Sequence, residues 1–100
     1  KQNLDDAFAR RFQNLVHFPM PGKLERLRIW RNGFSAQSTL GDEVDLEQIA
    51  AKYELSGGGV MNVIRYASLM ALKDGGSLIR RGDILRGIQR EYAKEGRTLQ

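Results

Sequence analysis

Apolar residues recur at helical spacing along most of this chain, and the breaks fall at glycine, proline and short polar stretches. The first run is short. Asn3 is a good N-cap for a helix through Leu4, Ala7 and Phe8, and Asp5 and Asp6 sit in its first turn, where the helix dipole favours anions. Arg10 and Arg11 close that segment. Leu15-Val16-His17-Phe18 then reads as an extended apolar strand, stopped by Pro19-Met20-Pro21 because proline cannot donate to a ladder. Gly22 can cap the next helix, with Glu25 at its third position. Leu24, Leu27, Trp30 and Phe34 recur at spacings of three and four and predict its apolar stripe. Residues 35–43 read as a polar loop without regular structure.

The clearest helix start is Asp45, an N-cap with Gln48 three residues on, flanked by Val44 and Ile49 in hydrophobic-staple positions. Leu46, Ile49, Ala50 and Tyr53 form the predicted buried stripe of this short helix. Beyond Leu55-Ser56 and Gly57-Gly58-Gly59, the stretch Val60 to Lys73 is apolar on most of its circumference, which suits a helix in the middle of a bundle. Trp30, Met61 and Met70 are expected in the core. Asp74-Gly75-Gly76 ends that helix. The last one is expected from Arg81 to Lys94 with Ile84, Leu85, Ile88 and Tyr92 inward. The pattern is therefore mainly α: a short helix and one strand, then a bundle of four helices. A lone strand needs a partner, so the pattern reads as a piece of something longer, as does the lack of Met at position 1.

Composition narrows the chemistry. The 100 residues suffice for one compact core. No apolar run approaches the ~20 residues needed to span a bilayer, so no membrane association is expected. Cysteine is absent, which excludes disulfides and thiolate metal sites and fits a reducing cytoplasm. His17 cannot build a metal site alone and reads as a strand residue, so no metal site is expected in the chain itself. The net charge of +4 is compatible with a polyanionic partner without demanding one.

Asn3-Leu4-Asp5-Asp6-Ala7-Phe8-Ala9-Arg10-Arg11-Phe12, followed by Val16-His17-Phe18-Pro19-Met20-Pro21, resembles the end of the nucleotide-hydrolysing domain of AAA ATPases. The likeness continues in order through Arg26 and Ile29, Asp45-Leu46 and Ala50, Ser56-Gly57-Gly58 with Asn62, and Ile79 with Asp83-Ile84, which fit the helical lid. It implies residues 1–21 as the C-terminal remnant of the ATPase α/β domain and residues 22–100 as the lid. Arg10 and Arg11 would be arginine fingers given in trans to a neighbouring subunit's ATP, a task that suits a planar, permanently charged fork. Gly57, Gly58 and Asn62 would lie on the adenine and ribose side of ATP bound in the same subunit. Gly59 and Arg80 depart from the family, which often has an acidic residue and a capping Thr or Ser there.

The parent so implied uses ATP and Mg²⁺, forms a ring of like subunits, a hexamer by resemblance, and remodels a macromolecular substrate, expected to be a protein. The fragment lacks a Gly-x-x-x-x-Gly-Lys-Ser/Thr loop and an acidic pair ending an apolar strand, so alone it is expected neither to bind nor to hydrolyse ATP. Alone it is expected as a monomer or weakly associated. Three glycines could also simply make a turn, and Arg65 reads as a surface or inter-subunit charge. Two other classes compete: a helix-turn-helix nucleic-acid binder with a basic stripe of Arg86, Arg90 and Lys94, and a non-catalytic interaction module. Glu91 and Glu95 interrupt the stripe, and the turn region offers a recognition helix only Asn62 and Arg65, which disfavours nucleic acid.

Overall fold

The structure is a computed structural model that describes residues 20–96. The expected N-terminal helix, the strand at 15–18, His17, Arg10 and Arg11 lie outside the described residues. Within them the elements run α1 (Lys23–Gly33), β1 (Thr39–Leu40), α2 (Leu46–Lys52), α3 (Gly57–Lys73), β2 (Leu78–Ile79) and α4 (Arg81–Lys94). No helix among them is long and apolar enough to cross a membrane.

Helix ends follow local chemistry. The Asp45 carboxylate accepts from the amides of Glu47 and Gln48, which fixes the start of α2. Ser56 Oγ accepts from Gly59 N at 3.0 Å, so the three glycines form the first turn of α3 rather than a linker before it. At the other end Gly75 takes φ +83°. Its amide reaches the Leu72 carbonyl at 2.9 Å, and that of Gly76 reaches the Ala71 carbonyl at 3.1 Å, the Schellman pattern. Arg80 caps α4 without a side-chain bond. It pairs instead with Asp74 at 2.6 Å, while Glu43 Oε2 accepts weakly from Arg81 N at 3.5 Å.

The loop at 35–43 is not wholly irregular. β1 pairs in parallel with β2, Thr39 opposite Leu78 and Leu40 opposite Ile79. This short ladder ties the segment before α2 to the start of α4. Strands of two residues show no period along the sequence, so nothing in the pattern announced them.

α3 is the central helix, packed against α4 on one side and α1 on another, while α1 also covers α2. Trp30, Ile49, Leu55, Val60, Val63, Ile79, Ile84 and Ile88 are fully buried, and burying each such side chain stabilises the fold by about 1.5–3 kcal/mol. At Gly87 α3 and α4 approach closely: a Cβ there would stand 2.9 Å from Val63 Cγ1.

Leu24 was expected inside α1 but is 77% exposed. The inward face of α1 is set by Arg26 and Trp30, and Leu24 lies roughly 160° around the helix from Arg26. Met61, expected in the core, is exposed and Met70 is half-buried. Met61, Leu69 and Leu72 follow the outer face of α3, so that helix is central without being surrounded.

Candidate functional site

Arg26 is buried, yet it is paired with neutral oxygens. Its Nε donates to the Ala50 carbonyl at 2.8 Å and its Nη1 to the Pro21 carbonyl at 2.8 Å. A guanidinium keeps its charge inside a fold when its donors find acceptors, and its fork can serve two at once. The consequence is mechanical: the segment leading into the bundle is fastened at Pro21 to the end of α2. The sequence flagged Arg26 only by resemblance, because a charged residue inside an apolar stripe gives no sign of burial.

The glycines that open α3 have distinct environments. Gly59 is buried, and a Cβ there would crowd Ser56 Oγ at 3.3 Å and Leu55 Cδ2 at 3.4 Å. Packing therefore accounts for Gly59. A Cβ on Gly57 would meet only Ile29 Cδ1 at 3.6 Å, and one on Gly58 would meet nothing within 4 Å. Packing accounts for neither. Gly57 lines an open depression of about 320 Å³ with Pro21, Glu25, Arg28 and Ile29. The bare start of α3 thus faces the segment that Arg26 pins in place.

Asn62 does not join this depression. It lies about 140° around α3 from Gly57. Its amide nitrogen donates to Glu91 at 3.3 Å, and its amide oxygen accepts from Arg65 at 2.9 Å. Asn62 therefore ties α3 to α4. Gly57 lines the depression, its chain neighbour Gly58 faces open space, and Asn62 stands in a separate groove between α3 and α4, with Arg65, Tyr66, Arg90 and Glu91.

That groove also resolves the basic stripe on α4. Arg86 pairs with Asp83 at 3.0 Å, and Lys94 pairs with Glu91 at 2.7 Å. Arg90 stands over the Tyr66 ring, 4.9 Å from its centroid. Two of three cations are neutralised by acids three residues away, a spacing that the sequence displayed. The Tyr66–Arg90 contact joins two helices and had no signal along the chain. No cluster of three His, Cys, Asp or Glu side chains able to hold a metal occurs among the described residues.

No protein-family model matches the chain. Individual proteins do. It is 34% identical over 97 residues to ATP-dependent zinc metalloprotease FtsH 3 of Sphaerobacter thermophilus, a match covering 94% of this chain and 20% of that protein. It is 37% identical over 76 residues to probable 26S proteasome regulatory subunit 4 of Caenorhabditis elegans, covering 73% of this chain and 17% of that one. Katanin p60 ATPase-containing subunit A1 of Strongylocentrotus purpuratus is 35% identical over 75 residues, covering 71% and 14%. The chain thus spans a fifth or less of these curated relatives. The ordered motifs, the mainly helical bundle and these likenesses agree: the chain belongs to the AAA-type ATPases.

Proposed function

We propose that residues 22–100 are the lid of an ATP-hydrolysing ring ATPase, that residues 1–21 end its α/β domain, and that the lid lies against the base and ribose of ATP. The observation that carries this reading is the bare start of α3 beside Pro21. Gly57 and Gly58 leave an open approach to backbone that no packing demand explains. Glycine costs helix stability, about 0.8–1.0 kcal/mol relative to alanine in a helix interior. Alanine would fit at either position, so the glycines leave room for close approach that packing within the chain does not use. The first amides of a helix also lack intrahelical acceptors and lie at the positive end of the dipole, which suits a polar, anionic ligand.

In this reading Gly57 and Gly58 meet the nucleotide, and Asn62 sets how α4 sits on α3. ATP with Mg²⁺ supplies the phosphoryl group; residues of the parent outside this chain hold the phosphates. Arg10 and Arg11 are offered across a subunit boundary, where a guanidinium stabilises charge on the transferring phosphoryl group. Because Arg26 fastens Pro21 to the bundle, the lid turns about a point before Pro21. Pro21 and Gly22 travel with it. The motion passes from subunit to subunit and works on a macromolecular substrate, a protein in this proposal.

The test is ATP hydrolysis and nucleotide binding by the parent protein, measured separately across protein concentration. Arg10→Ala and Arg11→Ala are expected to lower kcat by about a hundredfold or more in at least one case, with ATP affinity little changed. Gly58→Leu is expected to weaken ATP binding. Full hydrolysis in both arginine variants removes the finger, and unchanged binding in Gly58→Leu removes the nucleotide contact.

A further inference from the structure

The groove between α3 and α4 lies on a different face of α3 from the Pro21 depression, and the proposed nucleotide chemistry does not use it. Its volume is about 220 Å³. Among the described residues Glu91 is its single carboxylate, and it is already engaged, by Lys94 at 2.7 Å and by the Asn62 amide at 3.3 Å. The two arginines are not engaged in this way. Arg65 donates to the neutral oxygen of Asn62 at 2.9 Å, and Arg90 rests on the Tyr66 ring. Neither has a carboxylate partner among the described residues. Each guanidinium has five donors, so most remain open. The ring and the amide hold the two forks in place, which lowers the entropic cost of receiving an anion. Leu69, 53% exposed, supplies an apolar wall beside them.

We propose that this groove docks an acidic segment of a partner protein, with its carboxylates on Arg65 and Arg90 and an apolar side chain against Leu69 and Tyr66. The charge pattern selects this occupant. A nucleic-acid strand needs a continued track of cations along its phosphates. Arg86 and Lys94, which would extend the track, are already paired with Asp83 and Glu91, so two isolated arginines remain and not a row of cations. A second copy of the described residues is also disfavoured. In their acidic stretch Asp45 caps α2, Glu47 pairs with Arg31 and Glu43 sits at the start of α4, which leaves Asp42 alone there to meet two arginines. The proposal is independent of the nucleotide reading.

The experiment is fluorescence anisotropy of a short fluorescein-labelled peptide of glutamate interspersed with leucine, titrated with the intact parent protein. Arg65→Gln and Arg90→Gln are each expected to weaken binding roughly fivefold, and the double variant more than either. Lys73→Gln, an equal loss of charge at the far end of α3, is expected to bind as the unaltered protein does. The melting midpoint of each variant checks that the fold is kept. Equal affinity in the double variant overturns the proposal. So does a labelled thymidine oligonucleotide that binds more tightly than the peptide and loses that binding in the same variants. Salt-sensitive self-association that vanishes with Arg65 and Arg90 assigns the groove to a second copy and overturns it as well.

Discussion

Arg26 Nε lies 2.8 Å from the carbonyl oxygen of Ala50, so a charged side chain on α1 closes the far end of α2. Its Nη1 holds Pro21 at the same distance. Hydrogen bonds to charged groups contribute about 1.5–3 kcal/mol each. Arg26→Met is therefore expected to destabilise the chain by about 3 kcal/mol, because methionine fills the space of the stem and leaves both carbonyls without their donor. Urea unfolding reads this directly as a lower midpoint at unchanged slope. Lysine, a point donor on a flexible stem, cannot bridge both oxygens as the fork does, and Arg26→Lys should fall between the two. A loss below about 0.5 kcal/mol for Arg26→Met would show that the clamp contributes little.

Two glycines should respond with opposite signs to the same substitution. Gly58→Ala adds a methyl group into open space in the first turn of α3 and is expected to stabilise by about 0.4–1 kcal/mol. Gly87→Ala drives a Cβ to 2.9 Å from Val63 Cγ1 and 3.3 Å from Val63 Cα, where backbone cannot yield easily. Overpacking of this kind costs about 1–3 kcal/mol. Thermal unfolding of the pair checks both, and a stabilising Gly87→Ala would mean that α3 and α4 separate more readily than their contact implies.

Asp45→Ala removes the acceptor for two amides of α2. About 1 kcal/mol should be lost. Asp45→Asn keeps an acceptor oxygen and should retain most of that stability, a comparison that separates capping from charge.

Arg80→Thr tests a balance. The present residue makes a half-exposed ion pair with Asp74 and no cap. Exposed pairs are worth about 0–1 kcal/mol, whereas a threonine cap is worth about 1 kcal/mol. The backbone at this position, φ −103° and ψ 147°, already suits a capping residue. A small net gain is expected, and it should grow at high salt, where the ion pair is screened. Loss of stability at every salt concentration would assign the Arg80–Asp74 pair a larger role than surface pairs have.

The start of α2, both ends of α4 and the buried stripe Leu46, Ile49, Ala50 and Tyr53 were legible in the sequence. Caps and helical spacing are local, fixed by residues within one or two turns of each other. Family membership was legible for a related reason: short motifs kept in order need no knowledge of contacts. What the residues do to one another across the bundle was not. Leu24 faces outward because Arg26 and Trp30 set the inner side of α1, and only the placement of α2 makes a buried arginine possible there. β1 and β2 exist because two distant loops are brought together. Gly57, Gly58 and Gly59 look alike in sequence, yet only Leu55 and Ser56 reveal that the third is a packing residue and the first two are not. Asn62, grouped with them by motif, belongs to another groove because α4 supplies Glu91 beside it. A one-dimensional pattern determines which way each element starts, stops and turns. Which neighbour a side chain meets is decided only when the helices pack.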